Sequence, residues 1–413
     1  YALEDSGAKI LLTDRSDIGP LQGSVDQVIS LDEEYEAVLA GAAQAPLGDD
    51  SDEEDLAGLF YTGGTTGASK GVMLTHRNLI ANAFNWLSAV PQGPNDRSLV
   101  MAPMFHAAGS NGILAAMWQG SCQVALNTFE PKTVLQLIEK HKINITLGVP
   151  SMLSAIAEEQ HVNPKDVSSL EILAHGGSPI ATEVIKRCSQ AFTSAQMVEV
   201  YGATETSPLA TLLGNEEQLI DDPKARSCGR SVIGCAITIC APEGHALPTG
   251  EVGEVVVSGA NIMKGYWNKA EQTAAVLKGG GYWTGDLGYL DTQGYLFLVD
   301  RSKDMIVSGG ENVYSTEVED ILYKFPGVLE AAVFGVPDQK WGEAVYAVVV
   351  PRPDATDVTP EALIAFCREH IGGYKVPKGI NIQLEPLPKS GPGKVLKREL
   401  RAPFWAATDR SVN

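Results

Sequence analysis

The segment Tyr61-Thr-Gly-Gly-Thr-Thr-Gly-Ala-Ser-Lys-Gly71 places four glycines, three threonines and one lysine within eleven positions, directly after the apolar run 56–61. Glycine lets the backbone turn sharply and approach a ligand closely. Consecutive backbone N–H groups form an anion-binding concavity. Gly64 and Gly67 supply that freedom, Thr62, Thr65 and Thr66 add hydroxyl donors, and Lys70 adds a mobile positive charge. The chemistry this predicts is the cradling of a polyphosphate. The spacing is not the Walker form, which needs G-x-x-x-x-G-K-[ST]; here Lys70 follows Ser69 and precedes Gly71.

Four further segments carry polar and charged groups of complementary kinds. They are Tyr201-Gly-Ala-Thr-Glu205, Tyr282-Trp-Thr-Gly-Asp286, Asp300-Arg-Ser-Lys-Asp304 leading into Ser308-Gly-Gly-Glu-Asn312, and Pro388-Lys-Ser-Gly-Pro-Gly-Lys394. A lone Thr-Glu reads as a helix cap with an acid in the first turn, and a lone Thr-Gly-Asp as a turn. All five segments together, in this order, resemble the adenylate-forming superfamily of acyl- and aryl-CoA synthetases, adenylation domains and luciferases. The resemblance covers nearly the whole chain and is strongest to bacterial fatty-acyl-CoA ligases. Family members carry a substantial segment before the position where this chain starts. The stretch Tyr1–Asp14 reads as the middle of a domain, so the chain is expected to be a fragment of a longer enzyme.

The resemblance implies a two-step reaction with ATP, Mg²⁺ and CoA. A carboxylate attacks the α-phosphate of ATP, giving acyl-adenylate and pyrophosphate; the CoA thiol then displaces AMP. No covalent enzyme nucleophile is needed, so the burden is positioning and charge stabilisation, and no G-x-S-x-G elbow occurs. By the same resemblance, Thr65, Thr66, Gly67 and Lys70 hold the β- and γ-phosphates. Thr204 and Glu205 serve the α-phosphate, with Glu205 the Mg²⁺ ligand, since a hard cation needs a carboxylate oxygen. Tyr201-Gly202 and Gly176, Gly177 and Ser178 form the two walls of the adenine site. Asp286 and Arg301 bind the ribose. Lys303 is the hinge, and Lys394 stabilises charge during adenylation. Gly309 and Gly310 line the pantetheine path, and Trp341, Tyr374 and Lys375 make a surface for the CoA nucleotide. His106 stands at the entrance of the acyl pocket, either orienting the carboxylate or packed as a structural histidine; His175 reads as structural. Gly63 and Ser69 depart from the family's more usual Ser and Pro, which predicts a looser phosphate loop; Pro392 stands where Ser is more usual near Lys394.

The expected acyl pocket runs over 106–112, 147–152 and 174–178, where Ala107, Ala108, Gly109, Gly112 and Ala174 leave room. A medium- or long-chain fatty acid is the favoured substrate. An aryl or hydroxycinnamate acid, a carrier-protein-loading adenylation enzyme, and a non-catalytic nucleotide-binding fragment are the alternatives.

Around these residues, the 413-residue length predicts two domains. Strand-like and helix-like stretches alternate from 121 to 201, with strands at 122–126, 145–149, 170–174 and 197–201, which is the pattern of a parallel sheet. Both Tyr61-Thr-Gly-Gly and Glu199–Glu205 are expected at strand carboxyl ends, where such sheets bind ligands. Short β runs at 255–257, 295–299 and 305–307 follow. The predicted class is α/β: a large N-terminal domain over 1–302 with mainly parallel sheets and a small β subdomain, then a mobile α+β lid over 303–413. The lid is expected to hold helices near 316–323 and 360–370 and strands at 329–334 and 344–350. The net charge of −20 argues against nucleic acid as a partner. The six cysteines show no C-x-x-C spacing, and the acidic run 49–55 reads as a solvated surface connection. No run is long enough to span a bilayer. A cytoplasmic enzyme is expected, with peripheral membrane contact and a dimer both compatible with the sequence.

Overall fold

In a computed structural model of the chain, the described residues are all except 16, 22, 46, 47, 49, 63–68, 179, 181, 354, 390–394 and 407–413. The central sheet has seven strands. In order across the sheet they are Arg230–Ser231, Thr211–Gly214, Gln196–Tyr201, Ile172–Gly176, Ile145–Gly148, Arg97–Val100 and Cys122–Ala125. The last five are mutually parallel, and Thr211–Gly214 joins antiparallel to Gln196–Tyr201.

The crossover helices form where the sequence has apolar residues at helical spacing. Pro131–His141 begins with a proline in its first turn, where no backbone donor is lost. It buries Val134, Leu135 and Ile138 on one face and ends at Lys142, whose φ of 51° is left-handed. Pro150–Val162 packs beside it, and Thr182–Ala191 packs against Pro150–Val162. Their inner faces and the strands share one core, which includes Leu99, Leu153, Ile156, Leu170, Leu173, Ile185 and Met197. The strand expected at 170–174 begins two residues later, because Leu170 closes a turn onto the Val167 carbonyl and is buried by it.

One expectation is corrected. The strand Leu56–Thr62 does not belong to the parallel sheet. It pairs antiparallel with Lys70–Thr75, which in turn pairs with Gly265–Tyr266 in a separate three-stranded sheet. The physical reason is reach: a short loop can join antiparallel neighbours but not parallel ones. Thr62 and Lys70 are register partners across the hairpin, and Ser69 Oγ donates to the Thr62 carbonyl at 2.6 Å. The loop residues Gly64, Thr65, Thr66 and Gly67 lie outside the described residues.

A five-stranded sheet, which includes Cys235–Cys240, Gly253–Gly259, Gly281–Leu290 and Leu296–Arg301, forms the small β unit. Beyond it, Ile306–Ser308, Glu311–Val313, Val328–Asp338, Gly342–Pro351 and Gly379–Ile382 make another sheet. The helices Ser315–Lys324 and Pro360–His370 cover it around a core of Val318, Leu322, Val333, Val345, Val349 and Leu363. Among the described residues, no helix is long and apolar enough to cross a membrane.

Leu173, on a central strand, is fully buried. Leu173→Ala should therefore lower the unfolding free energy by about 2–5 kcal/mol, because the close-packed sheet collapses only partly around the cavity. A lowered urea midpoint at unchanged slope is the expected reading.

Candidate active site

The floor of the site is built by strand ends. Gln196–Tyr201 delivers Tyr201 at its carboxyl end, beside Gly176 at the end of Ile172–Gly176. A Cβ on Gly176 would stand 2.4 Å from the Val200 carbonyl oxygen, so only glycine allows the two strands this approach. Gly177 then turns with φ 81°, which glycine adopts readily. Gly202 answers the same need, since a Cβ there would meet the Pro208 carbonyl oxygen at 1.8 Å.

Tyr201, Asp286 and Arg301 are brought together from two sheets. The Tyr201 hydroxyl donates to Asp286 Oδ2 at 2.8 Å, and Arg301 Nε lies 3.2 Å from Asp286 Oδ1. Asp286 and Arg301 are register partners on adjacent antiparallel strands. Burial and the Asp286 charge push the Tyr201 phenol well above its ordinary value, so it stays a donor. An ionised carboxylate offers about four lone-pair sites. Two are taken here, which leaves acceptor capacity for a pair of hydroxyls. The Thr284-Gly285-Asp286 turn is tied down, with Gly285 N donating to Glu254 Oε1 at 3.0 Å and Asp286 N to Thr284 Oγ1 at 3.0 Å.

A second cluster forms around Tyr266, a residue the sequence reading missed. Its hydroxyl donates to Glu205 Oε1 at 2.8 Å, and Lys70 Nζ lies 4.7 Å from the centre of its ring. Burial and Glu205 push this phenol above 10. The only local signal was the Gly265-Tyr-Trp267 triplet; its strand pairs with the one that opens at Lys70. Glu205 and Thr204 lie in the short 3₁₀ turn Thr204–Thr206. Asn261, fully buried, holds the turn by donating to the Thr206 and Leu209 carbonyls at 2.7 and 2.9 Å. The donor set fits Mg²⁺: a single carboxylate suits an ion that keeps several waters and takes phosphate oxygens. Among the described residues no group of three His, Cys, Asp or Glu forms a dedicated metal cage.

His106 precedes the helix Ala107–Gln119, and burial holds its imidazole below the ordinary value, so it is neutral near pH 7. The small residues of the expected acyl pocket divide. A Cβ on Gly109 would meet the Pro103 carbonyl oxygen at 2.3 Å and one on Gly148 the Met101 methyl at 2.5 Å, whereas Gly112 faces open space. Ala174, expected along the pocket, is fully buried in the core against Trp86 and Val198.

In the C-terminal part, Gly309 and Gly310 have φ of 64° and 87°, and Gly309 N donates to the Trp341 carbonyl at 2.8 Å. A Cβ at Gly309 would strike the Trp341 ring at 2.6 Å, so these residues form one corner. Tyr374 is exposed, and the neighbouring Lys375 is bound by both oxygens of Glu317 at 2.7 Å. Burial, with Arg301 nearby, holds Lys303 below its ordinary value. Lys394 lies outside the described residues.

This geometry agrees with comparison to known proteins. The AMP-binding enzyme family model matches residues 1–267, and the AMP-binding enzyme C-terminal domain model matches 317–394. A feruloyl-CoA synthase of Amycolatopsis sp is 39% identical over 98% of this chain and 81% of its own length. A long-chain-fatty-acid–CoA ligase of Mycobacterium tuberculosis is 33% identical over 99% of this chain and 81% of its own. Among solved structures, ATP-bound MatB from Rhodopseudomonas palustris aligns with a TM-score of 0.89 at 29% identity, over 98% of this chain and 80% of that one. O-succinylbenzoate coenzyme A synthetase from Bacillus subtilis, in complex with ATP and magnesium ion, aligns with a TM-score of 0.84 at 32% identity, over 97% and 80%. The chain belongs to the AMP-binding enzyme family, among its AMP-forming acyl-CoA ligases. It activates a carboxylic acid with ATP and passes it to CoA.

Beneath these strand ends lies a buried group of titratable side chains. His175 Nε2 is 2.6 Å from Glu216 Oε2, and Glu199 is the register partner of His175. Burial opposes the charge of His175, but Glu216 and Glu199 raise it above its ordinary value. Burial pushes Glu199 up to about 7, against the attraction of His175; Cys228 faces it from the other side. Folded Glu199 therefore keeps its proton over a range, from about 4.5 to about 7, in which the unfolded chain releases it. Stability from this group falls as pH rises through that window, and the raised His175 adds loss in the same direction above 6.5. The urea midpoint should drop between about pH 5 and about pH 7.5, and Glu199→Gln should flatten that slope. An unchanged slope in the variant would exclude Glu199 as its source.

Proposed function

We propose that this enzyme is a medium- or long-chain fatty-acyl-CoA ligase whose nucleotide site is built from Tyr201, Asp286, Arg301, Glu205 and Lys70. The observation that carries the nucleotide site is the convergence of Tyr201 and Arg301 on one carboxylate, with Glu205 and Lys70 flanking Tyr266. Asp286 accepts from the ribose hydroxyls and Arg301 donates to the same ring. Tyr201 stacks on adenine, opposite Gly177 and Ser178. Lys70 and the loop hydroxyls of Thr65 and Thr66 hold the β- and γ-phosphates, and Glu205 holds Mg²⁺, which neutralises charge on the phosphate oxygens. Thr204 donates to the α-phosphate.

In the first step a substrate carboxylate oxygen bonds to the α-phosphorus, and the bond from that phosphorus to pyrophosphate breaks. Lys394 stabilises the charge that develops, and neutral His106 orients the carboxylate at the pocket entrance. In the second step the CoA sulfur bonds to the acyl carbon and AMP departs with the electron pair. Residues 1–302 and 303–413 act as body and lid, with Lys303 absorbing the backbone change between the two steps. Gly309 and Gly310 then line the pantetheine arm, with Trp341 and Tyr374 toward the CoA nucleotide.

The long-chain-fatty-acid–CoA ligases of Mycobacterium tuberculosis and Bacillus subtilis support an alkyl substrate. A hydroxycinnamate-type acid is the second reading, favoured by the feruloyl-CoA synthase at 39% identity. Acid-dependent ATP–pyrophosphate exchange across fatty and aryl acids, with CoA-dependent AMP release, decides between them. Exchange with alkyl acids, discharged by CoA, is the expected outcome; exchange confined to aryl acids would establish the second reading. Asp286→Ala should weaken ATP binding by roughly 10- to 100-fold, since it removes a charged acceptor from two hydroxyls. Unchanged affinity would show that the ribose lies elsewhere.

A further inference from the structure

A buried polar chain crosses the junction between body and lid. Asp300, at the end of the strand Leu296–Arg301, is only 6% exposed. Its carboxylate accepts from Ser315 N at 2.5 Å, from Ser315 Oγ at 3.1 Å and from Arg301 N at 2.7 Å. The Ser315 hydroxyl in turn accepts from Lys397 Nζ at 2.7 Å. Lys397 is paired with Glu319 Oε1 at 2.7 Å, which also accepts from Val333 N at 2.7 Å. Thr316 Oγ1 donates to the Val299 carbonyl beside this chain.

The partition of these groups is informative. Ser315, Glu319 and Lys397 all belong to elements that pack together beyond Lys303, and they would move as one body. Asp300 precedes Lys303 and stays with its strand. Rotation at Lys303 therefore separates Asp300 from both Ser315 donors and exchanges those two contacts for water. Hydrogen bonds to a charged group are the stronger ones, so their loss opposes the rotation. Ser315 loses an acceptor at the same time, while Lys397 keeps Glu319. The cost of leaving this orientation thus falls on Asp300 and on the Thr316–Val299 hydrogen bond. Asp300 also adjoins Arg301, whose side chain holds Asp286, so the chain runs from the ribose carboxylate to the lid core without interruption.

We propose that Asp300 is a positioning residue for the two-step reaction. It holds the lid in the orientation seen here through Ser315 and Lys397, and so sets how readily the enzyme passes between its half-reactions. This rests on the two-step reading above.

The test uses Asp300→Asn, which keeps size but removes charge, and Ser315→Ala, which keeps every charge and leaves the backbone donor in place. One arm measures energy transfer between dyes on the exposed thiol of Cys122 and on Glu361→Cys, without any substrate. Both variants should shift the distance distribution away from that of the parent, with Asp300→Asn shifting it more. The other arm compares acid-dependent ATP–pyrophosphate exchange with CoA-dependent discharge of supplied acyl-adenylate. The ratio of the two rates should change by roughly ten-fold in Asp300→Asn, the effect of one lost charge-assisted contact. Equal loss of both steps, or an unchanged distance distribution in folded variants, would overturn the proposal. If the parent itself performs neither step, the two-step reading fails on its own, and the energy-transfer arm still decides whether Asp300 holds the lid.

Discussion

The Asp286 carboxylate is the point on which the separate sheets are made to agree. Tyr201 arrives on the parallel sheet, and Asp286 and Arg301 arrive on paired strands of the small β unit. Their mutual bonds tie the two sheets together at this point, because a largely buried carboxylate keeps its donors. The turn that carries Asp286 is locked by Glu254 and Thr284, so the carboxylate is aimed before any ligand arrives. Preorganisation of this kind is what a reaction governed by positioning requires.

The chain must bind polyanions while carrying a net charge of −20. Its solution is local. Carboxylates near the site are each answered by a donor: Asp286 by Arg301 and Tyr201, Glu205 by Tyr266. Glu199, beneath the strand ends, is pushed up to about 7 by burial, which reduces negative charge under the site. More distant acidic groups act through salt, whose screening length is about 10 Å at 0.1 M.

How much of this was legible depended on how local each signal was. The alternation over 121–201 announced the parallel sheet, because crossover helices and buried strands leave distinct periods in the sequence. Tyr201, Glu205, Asp286 and Arg301 could be named because the short motifs that hold them resemble, in order, those of the adenylate-forming superfamily. Tyr266 could not, since its partners Glu205 and Lys70 lie 61 and 196 positions away in the chain and only sheet pairing brings them together. The pocket residues were read less well. Gly109 and Gly148 are small because backbone and side chain press on them, and Ala174 because it faces the core; smallness in a sequence does not say which side of a strand it serves.

By itself, the sequence determined the residue chemistry, the order of the motifs, the alternation of elements and the class of reaction. These are properties of short segments, set by backbone preference, hydrophobic period and side-chain type. The tertiary structure alone decided that Leu56–Thr62 and Lys70–Thr75 pair as an antiparallel hairpin and that Tyr266 stands between Glu205 and Lys70. It also decided that Asp300 meets Ser315, whose hydroxyl accepts from Lys397. Each of these depends on which distant strands and helices come into register, and a side chain's partners follow from that packing and not from its neighbours in the chain.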